Sequence, residues 1–166
     1  TTGTDNVAIG YNALGDNTTT SNNTAIGSYA MYDGVGSSHS VAVGTSALAN
    51  NAAASNTAVG SQALTGNTTG TRNSALGAYA LDACTTGNYN TAIGHFAGSA
   101  VTTGTHSTFV GDYAGSATTT GIQNTAVGQA SMQLNTTGAQ NAAYGYGSLN
   151  LNTTGDSNTA IGVRAL

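Results

Sequence analysis

One short pattern of apolar and polar positions recurs along the whole chain. A small aliphatic block ends in glycine, and these glycines are Gly10, Gly27, Gly44, Gly60, Gly77, Gly94, Gly111, Gly128, Gly145 and Gly162. Each step between them is 17 residues, except the 16 from Gly44 to Gly60. The consensus reads N-T-A-[IV]-G-x-x-A-L-x-x-N-T-T-G-x-x. Units start near residues 6, 23, 40, 56, 73, 90, 107, 124, 141 and 158, and together they form a single repeat domain over residues 1–166. A period this strict marks a repeat architecture and not a disordered low-complexity tract.

Seventeen residues are too few for a pair of packed helices, whose repeats need more than about 30. They suit one lap of an all-β fold, a β-solenoid in the form of a parallel β-roll with about ten coils. Numbered from its Asn, each unit is expected to carry one strand near positions 1–5 and a second near positions 7–11. The N-T-T-G segment then makes the far turn. The short third unit has lost a residue between Ala49 and Ser55, which fits a turn there. The glycine column at position 5 either turns the chain or admits a neighbouring backbone. Gly70, Gly87, Gly104, Gly121, Gly138 and Gly155, at position 15, are expected to supply a positive φ. Coils stacked ~4.8 Å apart would make a rod of roughly 45 Å. Stacking would also align like with like, including an Asn column whose amides can bond along the axis.

Alternation along a strand puts positions 2 and 4 on one face and position 3 on the other. The expected core is position 4 with position 9: Ile9, Ile26, Val43, Val59, Leu76, Ile93, Val110, Val127 and Ile161, with Leu14, Leu48, Leu64 and Leu81. Position 3 would then form a smooth outer wall for a second copy of the chain: Ala8, Ala25, Ala42, Ala58, Ala75, Ala92, Ala126, Ala143 and Ala160. Phe109 stands in the remaining unit, and Gly98 and Gly115 interrupt the large apolar residues at position 9.

Composition sharpens the picture. Only 5% of residues are charged, against about 25% in an ordinary domain. Proline is absent, as expected where every coil's N–H is wanted by the next. A net charge of −4 with two arginines excludes a basic nucleic-acid patch. No apolar run reaches the ~20 residues that cross a bilayer, so no membrane insertion is expected. Cys84 is the single cysteine, and an intrachain disulfide is impossible. The six aspartates scatter over different unit positions, and His39, His95 and His106 find no ligand spacing. No catalytic, cofactor or metal site is expected. A polysaccharide-cleaving pair of carboxylates around a cleft is not in view. Tyr11, Tyr29, Tyr79, Phe96, Tyr113 and Tyr146 follow the position-5 glycine by one or two residues. Two readings of this broken stripe stay open: rings that cover the turn beside the core, or rings that stack on sugars.

The N-T-A-I-G core, followed by A-L and N-T-T-G, resembles the repeats of phage tail-fibre-like proteins and related bacterial surface proteins, many ending in an endosialidase-type chaperone domain. It is also similar to the N-S-V-A-I-G motif of trimeric autotransporter adhesin heads, whose unit is shorter. The resemblance covers all ten units. It implies a left-handed, homotrimeric β-roll serving as the shaft or head of an extracellular fibre on a virion or cell surface. The implied partners are identical chains, in a trimer or a longer filament, and a cell-surface glycan. The expected function is therefore attachment without catalysis, by one segment of a longer fibre. The alternative is an ice-binding solenoid using the Thr pairs at positions 13 and 14, such as Thr68-Thr69 and Thr102-Thr103. Adjacent residues on a strand point to opposite faces, which weakens that array.

Overall fold

The structure is a computed structural model that describes residues 2–166. Among these residues there is no helix. Ten three-residue strands follow one another: β1 (Val7–Ile9), β2 (Thr24–Ile26), β3 (Val41–Val43), β4 (Thr57–Val59), β5 (Ser74–Leu76), β6 (Thr91–Ile93), β7 (Thr108–Val110), β8 (Thr125–Val127), β9 (Ala142–Tyr144) and β10 (Thr159–Ile161). They form one parallel sheet in sequence order. The chain completes one lap between successive strands, so the fold is a parallel β-solenoid. Like residues pair across laps: Ala8 with Ala25, Ala25 with Ala42, Ile26 with Val43. Register survives the short unit, where Ala42 still pairs with Ala58. The deletion is absorbed in the far turn. There the Asn51 amide donates to the Ala53 carbonyl two residues on, whereas Asn67 reaches Gly70 three residues on.

Each strand stops at the position-5 glycine, whose φ lies between +123° and +141° in all ten units. That backbone region is closed to side-chain-bearing residues. A Cβ built on Gly77 would also sit 2.4 Å from the Gly94 carbonyl oxygen of the next lap. The glycine therefore both turns the chain and admits its neighbour.

The expected second strand is absent, for a visible reason. Ala63 and Leu64, Ala80 and Leu81, and their equivalents in other laps are consecutive and both buried. A strand would send them to opposite faces. A turn brings both inward: Ala80 N–H donates to the Gly77 carbonyl at 3.3 Å, and Tyr79 and Leu81 take φ of +59° and +52°. Inter-lap bonding persists through the turn, with Leu64 N–H on the Ala80 carbonyl at 3.0 Å.

The two faces of the strand are the reverse of expectation. Ala25, Ala42, Ala58, Ala75, Ala92, Ala126, Ala143 and Ala160 are buried inside the lap, and only Ala8, in the first coil, is exposed. They are not an outer wall. Ile9, Leu76, Ile93 and Ile161 are 58%, 51%, 41% and 74% exposed, and Ile26, Val43, Val59, Val110 and Val127 are partly exposed. They are not core. Leu48, Leu64 and Leu81 are fully buried and Leu14 nearly so. The position-1 Asn decides the parity. Asn73 Nδ2 donates 2.7 Å to the Gly87 carbonyl, closing its own lap, while Asn73 Oδ1 accepts from the Asn90 N–H of the next lap at 2.9 Å. The same pair of bonds recurs at Asn23, Asn56, Asn90, Asn124 and Asn141. An Asn held inward fixes position 3 inward with it, and turns positions 2 and 4 out. The amides therefore bond along the axis mainly to backbone, not to one another.

Two further corrections concern small residues. The position-15 glycines do not have positive φ. They are close-approach sites: a Cβ on Gly87 would lie 2.4 Å from the Gly104 carbonyl oxygen. Positive φ falls instead on position 17, at bulky residues such as Arg72, Tyr89 and His106, all at +58°. The gaps at Gly98 and Gly115 are filled by Phe109, which is fully buried at position 3. A Cβ on Gly115 would meet the Phe109 ring at 2.2 Å, and one on Gly98 would meet it at 2.7 Å.

Candidate functional site

With the lap closed by Asn and filled by Ala and Leu, the outward columns run the length of the rod as surfaces that can meet a partner. The first is the sheet face. Positions 2 and 4 carry no charged residue in any of the ten units. Aliphatic side chains run beside a Thr column made of Thr24, Thr57, Thr91, Thr108, Thr125 and Thr159. A shallow apolar dip of about 250 Å³ opens over Ser74, between Val59, Leu76 and Ile93.

The second surface follows the glycine corner and carries the aromatic residues. They do not form one stripe. Tyr11 and Tyr29 meet edge to face at 5.4 Å, and Tyr29 meets Tyr32 likewise at 5.5 Å. The neighbouring phenol raises the Tyr29 pKa above its ordinary value. Further along, Tyr79, Phe96 and Tyr113 pile up in successive laps, with centroids 4.8 and 5.2 Å apart and planes 8° and 22° apart. Both faces of Phe96 are thus covered by its neighbours, so the sugar-stacking expectation fails for Phe96. His95 leans edge-on against all three rings, and its Nδ1 lies 3.2 Å from Asp112 Oδ1. This is the one salt-bridge contact among the described residues. Tyr146 stands apart, under the Arg164 guanidinium at 5.6 Å.

Sequence reading missed what happens where the ring column lapses. Position 7 is Ala130 and then Gly147 in the eighth and ninth laps, and there the ridge falls into a groove of about 400 Å³. Tyr146, Arg164, Gln133, Asn150, Leu151 and Leu166 line it. Asn150 Nδ2 donates to the Ala130 carbonyl at 2.9 Å and to Gln133 Oε1 at 3.3 Å. The signal was present in the sequence as two small residues after three successive rings at position 7, but it mattered only once the columns were known to be outward.

The third surface carries the Thr pairs. The position-13 hydroxyls are committed to the ladder: Thr85 Oγ1 donates to the Thr102 carbonyl, Thr102 to Thr119, and Thr119 to Thr136, at 3.1–3.3 Å. Position 14 is exposed throughout, at Thr69, Thr86, Thr103, Thr120, Thr137 and Thr154, whereas the position-13 threonines are fully exposed only at Thr18, Thr68 and Thr153. The pairs therefore do not offer the two-column array that the ice-binding alternative needs.

The titratable groups stay dispersed. Among the described residues no three His, Cys, Asp or Glu side chains gather as metal ligands would, and no helix is long and apolar enough to cross a membrane. Cys84 is buried, and burial pushes its thiol pKa up to about 11. It occupies position 12, where Asn67 Nδ2 reaches Asn51 Oδ1 at 2.7 Å and Asn152 reaches Asn135 at 2.9 Å. A thiol cannot replace that amide donor. Asn67 Oδ1, facing the next lap's Cys84, is accordingly buried with no partner.

These features define a parallel β-solenoid of about nine full laps, each about 17 residues long. No family model matches the sequence, and no curated protein or solved structure matches it either.

Proposed function

We propose that the chain is a structural stretch of an extracellular fibre, the shaft or head of a phage tail fibre or bacterial surface adhesin, which assembles as a left-handed homotrimer and attaches without catalysis. One observation carries this reading: an uncharged column of Ile, Val and Leu, broken by Tyr144 alone, lies outside the lap along the sheet. Monomeric proteins rarely expose so continuous an apolar strip, and long strips mark interfaces. A second copy of the same chain is the natural occupant, because only a partner with the same rise per lap keeps its side chains in step over ten laps. The resemblance to tail-fibre and adhesin-head repeats points the same way and supplies the trimer and the hand. The interface assigned to the Ala column in the sequence reading moves to Ile9, Ile26, Val43, Val59, Ile93, Val110 and Val127.

The test is the mass of the folded chain by light scattering, with Ile93→Lys and Val110→Lys as variants. The native chain should have the mass of three chains. The lysine variants should fall to the mass of one while keeping a β circular dichroism spectrum, because positions 2 and 4 take no part in closing the lap. A native chain that is folded and monomeric at micromolar concentration overturns the proposal.

A further inference from the structure

We infer that the groove over Ala130 and Gly147 is a binding site for a carboxylated sugar, such as a hexuronic acid unit of a surface polysaccharide. The argument begins with what the groove lacks. In laps five to seven position 7 carries a ring, and Tyr79, Phe96 and Tyr113 block this flank with stacked aromatics. Ala130 and Gly147 carry no ring in the next two laps, and beside them, bordered also by Leu151 and Leu166, opens a groove of about 400 Å³, enough for a small-molecule ligand.

Its lining is chemically mixed in a particular way. The two Asn150 Nδ2 hydrogens are engaged by the Ala130 carbonyl and Gln133 Oε1. Those bonds tie the two amides together and leave Asn150 Oδ1 as an acceptor and Gln133 Nε2 as a donor on residues that line the groove. A neighbouring donor and acceptor is what a vicinal diol needs, since each hydroxyl both gives and takes a hydrogen bond. The lining also includes Tyr146, with an apolar ring and a polar tip. Beyond it is Arg164, one of only two cationic side chains other than histidine. Arg164 has no carboxylate partner among the described residues. A guanidinium with free planar donors pairs two-pronged with a carboxylate. Neutral sugars would use the amides and the ring and leave Arg164 idle. A simple carboxylic acid would use Arg164 and leave the amides idle. A carboxylated sugar satisfies all of them.

The geometry also supplies a clean way to close the groove. Gly147 takes φ of +60°, the region that Tyr79 and Tyr113 occupy at +59° and +56°. A Cβ there would meet only Arg164 Cγ, at 3.4 Å. Gly147→Tyr thus adds the ring that laps five to seven carry, in the backbone conformation that Tyr79 and Tyr113 already adopt.

This site gives the attachment reading its ligand class and rests on that reading. The experiment titrates the full chain with trigalacturonate, and with galactotriose as the uncharged counterpart, by calorimetry. Trigalacturonate should bind, and galactotriose at least about tenfold more weakly. Arg164→Gln should weaken trigalacturonate by about tenfold, the loss of one charge-assisted pair. Gly147→Tyr should abolish binding while the chain keeps its β circular dichroism spectrum. The inference is overturned if the native chain does not bind trigalacturonate, binds both sugars alike, or binds equally well with Gly147→Tyr. A trimer that ignores trigalacturonate sinks the site alone, and a monomer that binds it sinks the fibre reading alone.

Discussion

Replacing Phe109 with alanine restores the consensus residue at position 3, yet it should be among the most damaging single changes in the molecule. The ring is fully buried and fills the space that leucine fills at position 9 in other laps. Removing it leaves a void bordered by Gly98 and Gly115, at a cost of about 3–5 kcal/mol. Gly115→Leu is also a consensus change, and it should do comparable harm. Its Cβ alone would fall 2.2 Å from the Phe109 ring, which exceeds ordinary overpacking of about 1–3 kcal/mol. The backbone is not the obstacle. Gly98 and Gly115 have φ of +58° and +59°, and Leu64 and Leu81 sit at +52° in the same place. Combining Phe109→Ala, Gly98→Leu and Gly115→Leu rebuilds two ordinary laps. The burial of each leucine, about 1.5–3 kcal/mol, offsets the roughly 1–2 kcal/mol of its left-handed backbone. The triple variant should therefore come within about 2 kcal/mol of the native chain. Denaturant unfolding followed by circular dichroism on the native chain, the singles and the triple would read the coupling. Costs that simply add, within the ~0.5 kcal/mol seen for independent sites, would refute the account of Phe109 as a substitute for two leucines.

Asn90→Ala should cost about 2–4 kcal/mol, because it strands the buried Ser107 N–H and Gly104 carbonyl together; equilibrium unfolding checks it, and a cost near that of a surface change would count against the lap-closing role. Cys84→Asn should stabilise by about 1–2 kcal/mol by giving the orphaned Asn67 Oδ1 its donor, read as a raised denaturation midpoint. The buried thiol should ignore Ellman's reagent at pH 8 until denaturant is added. The Cys84 pKa is raised in the folded chain, so its stabilising contribution is complete below the unfolded value of 9.0 and is lost as pH rises toward about 11. The native chain should lose on the order of 2 kcal/mol more than Cys84→Asn across that window, and parallel pH profiles of the two would contradict it.

Period, parallel pairing and the absence of helix were legible in the glycine spacing alone, because a solenoid must repeat its geometry once per lap. Which face pointed inward was not. Alternation gives two parities, and bulk favoured Ile over Ala as core. The deciding residue was the least apolar of the block: an Asn whose two amide ends complete a lap and bind the next has to be inside, and it takes Ala with it. The second strand failed for a related reason: adjacent Ala and Leu are both buried, which the alternation of a strand forbids and this left-handed turn achieves. Phe109, Gly98 and Gly115 were each visible as exceptions, but their cancellation appears only in three dimensions, across 11 positions in one direction and six in the other. The groove was hidden by the same inversion, because a missing ring means nothing until its column is known to face out.

Nearly every lap offers its neighbours the same bonds, so the rod can gain or lose one by duplication or unequal crossover and change only in length. Coils six and seven are the exception. Their shared aromatic plug binds them as a single heritable cassette: a crossover that brought the seventh beside a leucine-bearing sixth would press that leucine against the ring. Length in this protein is free to drift everywhere except across that one seam.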